Sequence, residues 1–156
     1  MKKHIVKILV LIVIDQIIKA VISSTLGNTG NSVTILPNIL ELTYVENSGA
    51  AFGMFSGQIL LIGVDILLIF FIIKIFLSKK YELIEGTRLG LSIILAGGIA
   101  NLIDRIFRGY VIDYIDITKA FDYPVFNFAD MCIVVGVILV IVVIIISTIQ
   151  KQEKSI

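Results

Sequence analysis

Charge is what this chain has least of. Only 16% of its 156 residues are Asp, Glu, Lys or Arg, against 58% hydrophobic, and the mean hydropathy is +1.04. A water-soluble domain of this size carries more charge and rarely has such apolar runs. There is one cysteine, Cys132, which excludes an internal disulfide and a cysteine-ligated metal cluster. Its place one turn into an apolar helix marks it as a small core residue rather than a nucleophile. The single histidine, His4, sits in a basic tail and reads as a solvated tail residue. With no His/Cys cluster, neither a zinc site nor any other metal or cofactor is expected. No internal repeat and no low-complexity linker is visible, so residues 1–156 read as one domain. The basic start and apolar run Ile8–Ile14 resemble a signal peptide, but Asp15 and Lys19 follow and no small-x-small cleavage site is evident. A retained first helix is expected. The net charge of +1 gives no reason to expect nucleic acid.

The apolar runs are what remains. The stretch from Met131 to Ile146 has no charged residue. Spanning a bilayer takes about 20 residues as a helix. Four segments approach that length: about 5–22, 58–77, 89–107 and 129–148. Backbone polar groups cannot go unpaired in lipid, so these segments must be helical despite their Val/Ile richness. The fold class expected is an all-α membrane protein of four transmembrane helices with a small β-cradle outside.

Lysine and arginine set the orientation. Lys2, Lys3, Lys7, Lys74, Lys79, Lys80, Arg88, Lys151 and Lys154 fall on one side, nine of the 13 basic residues. That side should be cytoplasmic, with both termini inside. Asp15, Glu41, Glu46, Asp104, Asp113, Asp116, Asp122 and Asp130, eight of the 12 acids, lie at or beyond the outer helix ends. The outer segment of about residues 25–55 opens with turn residues Gly27, Asn28, Gly30 and Asn31. Ile39 to Glu46 then alternates partially and predicts one or two short strands. Asn47 to Gly53 is rich in small residues, as a backbone approaching a ligand or a helix would be. With Gly49 and Gly53 it is a candidate lid. The second outer loop, about 108–128, holds Asp113, Asp116 and Asp122.

Several polar residues sit where lipid should exclude them. Asp15 and Lys19 are four apart on one helix face and can pair; a structural ion pair and a substrate-facing role weigh equally. Gly97, Asn101, Asp104, Arg105 and Arg108 form a polar stripe facing the bundle or a wet cleft. Gly97 and Gly98 allow close helix approach. Asp104 neutralises a neighbouring arginine in the plainest reading. Asp65 lies seven residues inside the second helix with no partner nearby in sequence, and no catalytic role is assigned to it. Asp113 and Asp130 flank the second outer loop at helix ends. A buried carboxylate costs several kcal/mol unless paired, hydrogen-bonded or protonated. Two of them at facing helix ends suggest a pair sharing one proton, which is the arrangement of an aspartic hydrolase.

Five blocks occur in order: Asp15-Gln16-x-x-Lys19, Asn47-x-Gly49-Ala50-Ala51-Phe52, Gly97-x-x-x-Asn101-x-x-Asp104-Arg105, Val111-x-Asp113-Tyr114 and Phe126-Asn127-x-Ala129-Asp130. In this order the chain resembles lipoprotein signal peptidase (signal peptidase II) over nearly its whole length. The resemblance implies a bacterial inner-membrane aspartic endopeptidase. It would cleave a prolipoprotein's signal peptide just before the diacylglyceryl-cysteine of the lipobox. It implies Asp113 and Asp130 as the catalytic dyad. Asn47, Gly49, Asn101, Arg105, Asn127 and Ala129 would line the site for substrate or for globomycin-type peptide inhibitors. Asp15, Lys19, Gly97 and Asp104 would be structural or supporting. The expected partners are prolipoproteins and membrane lipid, the expected state is a monomer, and the site should lie near the extracytoplasmic face. Arg105 has three open assignments: Asp113, a substrate carbonyl or a lipid headgroup. The residues also allow a different class, a small proton-coupled transporter or channel subunit, which Asp65 alone favours.

Overall fold

The computed structural model describes residues 1–27, 32–49, 57–78 and 83–153. Four helices and three strands follow one another as α1 (Lys2–Leu26), β1 (Val33–Leu36), β2 (Leu40–Asn47), α2 (Gly57–Leu77), α3 (Glu85–Phe107), β3 (Val111–Asp116) and α4 (Phe128–Glu153). The helices run beyond the ends expected from apolar length alone. α3 starts at Glu85, an acid in the first turn where the helix dipole favours it, and α4 carries Lys151 in its last turn. By length and composition α2, α3 and α4 can each cross a membrane. α3 is the central helix: 50% of its apolar span is buried, against 6% for α2 and 11% for α4.

α1 is amphipathic in an inverted sense. Ile5, Leu9, Val13 and Ile17 point outward, whereas His4, Asp15, Lys19, Ile22 and Leu26 are buried at helical spacing. Asp15 and Lys19 of α1 thus lie on the face turned toward other helices. His4 is therefore not the solvated tail residue expected. It is 1% exposed, because α1 already begins at Lys2 and carries it onto the inner face. Its Nε2 lies 3.4 Å from Glu85 Oε2, its Nδ1 lies 3.2 Å from Ser92 Oγ, and its ring packs edge-on against Phe76. The start of α1, the end of α2 and the start of α3 thus meet at one end of the bundle.

The helices pack closely where side chains are smallest. A Cβ added to Gly97 would lie 2.3 Å from the Ala129 carbonyl oxygen, and one added to Gly136 would lie 2.8 Å from that of Gly90. α3 and α4 therefore touch backbone to backbone, as small residues permit in membranes. Gly98 makes only ordinary contact, with Ile69 of α2.

At the other end sits an antiparallel sheet in the order β1-β2-β3. The β1–β2 turn has Pro37 and then Asn38 at φ 60°, and Ile39 N donates to Leu36 O at 3.0 Å. Proline followed by a positive-φ residue is the pattern of a type II turn. The third strand was not expected: residues 108–128 read as loop, yet β3 occupies 111–116. It follows α3 almost at once, through Gly109 at φ +81°, a helix-terminating conformation that suits glycine. The expected strands in 39–46 are present as β2, paired to β3 with Val45 opposite Asp113. Ala50 to Ser56, including Gly53 of the candidate lid, lie outside the described residues.

Candidate active site

Strand β3, the start of α4 and the C-terminal half of α3 bring the two aspartates onto one hydrogen-bonded chain. Asp113 is 3% exposed. Its Oδ2 accepts from Asn47 Nδ2 at 2.8 Å and its Oδ1 from Asn127 Nδ2 at 2.6 Å. The first bond follows from register: Asn47 is the diagonal neighbour of Asp113 across the β2–β3 pair. Asn127 also donates to Asn101 Oδ1 at 3.2 Å, and Asn101 Nδ2 donates to Asp130 Oδ1 at 2.8 Å. Asp113, Asn127, Asn101 and Asp130 therefore form one continuous sequence of contacts.

Asp130 is held by the end of its own helix. Asn127 precedes α4, and its Oδ1 accepts from the Asp130 backbone N–H at 2.9 Å. Asp130 Oδ2 in turn accepts from the Asn127 backbone N–H at 3.1 Å. This reciprocal pair is a capping box with Asn and Asp in place of the usual Ser/Thr and Glu. Asp15 satisfies the next free donor of that helix end, accepting from Ala129 N at 3.0 Å.

Behind the aspartates lies a dry ionic cluster. Lys19 is 0% exposed and its ammonium has three acceptors: Asp15 Oδ2 at 2.9 Å, Asp104 Oδ2 at 2.8 Å and Asn101 Oδ1 at 2.9 Å. An ammonium has three hydrogens, so its capacity is filled. Lys19 also fixes the sense of the Asn101 amide: with its oxygen toward the ammonium, its NH₂ must face Asp130. Asp104 further accepts from Gln16 Nε2 at 3.1 Å and from the Arg108 guanidinium. The expected Asp15–Lys19 pair thus exists, and both side chains are enclosed by protein. Asp104 does meet an arginine, and Lys19 as well.

Burial raises the Asp113 carboxyl above its ordinary range. The amide of Asn47 pulls the other way, the nearby charge of Asp130 adds to the rise, and the Asn127 amide opposes it. Two cavities open beside the pair. One of about 330 Å³ is lined by Asn47, Asp113, Asp130, Tyr123 and Pro124 among others. The second, of about 310 Å³, shares Asp130, Tyr123 and Phe126 and is otherwise apolar, with Ile117, Met131 and Val134. A polar rim on an apolar trough suits an extended peptide continuing into an apolar segment.

Other expected residues lie as follows. Gly49, at φ +70°, has its N–H bonded to Asn47 Oδ1 at 3.0 Å, and a Cβ there would fall 2.2 Å from Leu61 of α2. Ala129 is 0% exposed, with its backbone given to Asp15 and to the approach of Gly97. Arg105 reaches neither Asp113 nor Asp130 among the described contacts; its Nη1 bonds Asp65 Oδ2 at 2.8 Å. Tyr114, of the Val111-x-Asp113-Tyr114 block, accepts at its hydroxyl from the Phe128 backbone N–H at 3.2 Å. Gln16, of the Asp15-Gln16-x-x-Lys19 block, bridges Asp104 and the Ala100 carbonyl.

A sequence model described as signal peptidase (SPase) II matches residues 7–146. The chain belongs to the signal peptidase II family. A lipoprotein signal peptidase of Fusobacterium nucleatum is 38% identical over 135 residues, 86% of this chain and 81% of that one. A lipoprotein signal peptidase of Staphylococcus aureus is 36% identical over 151 residues, 93% and 89% of the two chains. Two solved structures of a bacterial membrane enzyme, obtained by the in meso method, superpose with a TM-score of 0.82. They are 30% and 31% identical and cover 92% and 98% of this chain, and 93% of their own length in each case. The protein is thus a peptidase of a signal peptidase II type, with apolar helices that fit a multi-pass bacterial membrane protein.

Proposed function

We propose that the protein is an aspartic endopeptidase of the bacterial inner membrane. It removes the signal peptide from lipid-modified prolipoproteins, cutting just before the diacylglyceryl-cysteine. The observation that carries this reading is the single hydrogen-bonded sequence Asp113–Asn127–Asn101–Asp130 beside an open cavity. Two carboxylates in one low-dielectric site do not both ionise easily, so the pair holds one proton. The ionised member takes a proton from water, which attacks the scissile carbonyl; the protonated member donates to the carbonyl oxygen. No covalent intermediate forms. Asn47 and Asn127 orient Asp113, and Asn101 orients Asp130. Arg105 and Gly49 take the peptide main chain, and Ala129 shapes the floor. Asp15, Lys19, Gly97 and Asp104 support this arrangement from behind.

In this reading the whole chain is one membrane domain with four spans and cytoplasmic termini, α1 being the fourth. The site then lies near the extracytoplasmic surface, where water is available, and the substrate helix arrives laterally from lipid. Globomycin-type peptides would occupy the same trough, and the protein would act as a monomer. The names of the relatives support the substrate class. The test is cleavage of a lipid-modified prolipoprotein by reconstituted Asp113→Asn and Asp130→Asn variants. Each should remain folded and lose at least about 10³-fold in turnover, the scale of acid–base assistance. Wild-type cleavage by both variants would end the proposal.

A further inference from the structure

Asp65 is the only acid in α2, a helix whose apolar span has a mean hydropathy of 2.9. It pairs with Arg105 Nη1 at 2.8 Å, and the two side chains are 22% and 15% exposed. Such a pair is a poor way to join two helices. Replacing a buried ion pair by apolar residues of similar size is often neutral or stabilising. Its placement is more informative. Arg105 lies one turn beyond Asn101, the residue that donates to Asp130. Leu61, one turn before Asp65 on the same face of α2, is the side chain that presses on Gly49, two residues from Asn47. The pair therefore stands in the wall between α2 and the site. In addition, Arg105 Nε is buried and has no hydrogen-bond partner among the described residues. A buried guanidinium N–H without an acceptor is costly, and it calls for an oxygen from beyond the described residues.

We infer that Asp65 is a positioning residue for substrate binding. It holds one edge of the Arg105 guanidinium, which turns the free Nε–H toward a main-chain carbonyl of the bound peptide. This rests on the peptidase reading above. Arg105 touches the substrate, and Asp65 acts through Arg105.

The test uses the full-length protein in lipid–detergent micelles with a fluorogenic, lipid-modified lipobox peptide. Asp65→Asn should raise KM about tenfold or more, the scale of a lost charge-assisted hydrogen bond, with kcat within about twofold. Asp65→Glu should restore most of the loss. The double variant Asp65→Leu/Arg105→Leu should melt no lower than wild type and still show the raised KM. A wild-type KM for Asp65→Asn overturns the inference. So does a fall in melting temperature and kcat together with KM unchanged, which is the signature of a helix fastener. Asp113→Asn and Asp130→Asn are the controls: wild-type cleavage by both would remove the aspartic dyad on which the inference rests, whatever Asp65 does.

Discussion

Replacing Lys19 by methionine keeps the length of the side chain and deletes its charge. The ammonium of Lys19 makes three contacts of 2.8–2.9 Å and has no exposed surface. Its loss leaves Asp15 and Asp104 facing each other with only the Arg108 guanidinium to balance them. Removing one partner of a buried pair typically costs about 3–5 kcal/mol. For a chain of this size that corresponds to a fall of roughly 6–20 °C in melting temperature, read by scanning fluorimetry in detergent. Activity should fall as well. Without the ammonium, the sense of the Asn101 amide rests on the Asn127 amide, at 3.2 Å, and on Asp130 Oδ1, at 2.8 Å. A turned amide would present its oxygen to Asp130. We expect kcat to drop about tenfold or more, as small misplacements of catalytic groups do. The reasoning is refuted if Lys19→Met melts within about 2 °C of wild type and turns over within about twofold, margins well below the effects expected.

Two further outcomes follow. Because the folded carboxyl of Asp113 is raised above the ordinary value of 3.8, its contribution to stability is full below that value and is lost as pH rises through the folded value. The stability of Asp113→Asn relative to wild type should therefore increase as pH climbs from about 4 and then level off, as measured by melting temperature against pH; a flat difference would show that burial does not dominate. Gly97→Ala would place a methyl 2.3 Å from the Ala129 carbonyl oxygen, a backbone atom that cannot rotate away. The helices must part, at about 1–3 kcal/mol, and cleavage should fall because Asn101 moves with α3; unchanged melting and cleavage would mean that the contact is slack.

Much of the bundle was legible because lipid leaves the backbone few choices. The apolar runs fixed α2 to within a residue at its start, while α1, α3 and α4 ran past the runs into polar turns that length alone does not signal. Asp15 and Lys19 announced their pairing by their spacing. Asp104 and Asn101 announced a shared helical face but not the cation they share, since Lys19 is more than 80 positions away. β3 was missed, although Val111-Ile112-Asp113-Tyr114-Ile115 is rich in strand formers and follows a helix-ending glycine. Its pairing with β2 is what carries Asn47 to Asp113, so missing the strand meant missing how the site is assembled. His4 is buried despite its basic neighbours, because a basic neighbourhood in sequence says nothing about which side of a helix a residue occupies. Asp65 had no partner in sequence because its partner is on another helix, 40 positions on.

The capping box at the start of α4 gives one carboxylate two occupations. Asp130 Oδ2 accepts at the helix start and its Oδ1 accepts from Asn101 beside the cavity, and in the proposed mechanism the same carboxylate takes part in the cut. Any change that shortens its side chain therefore damages architecture and chemistry together, and an alanine scan would report one number for two losses. Asparagine keeps an oxygen for the helix and withdraws only the acid.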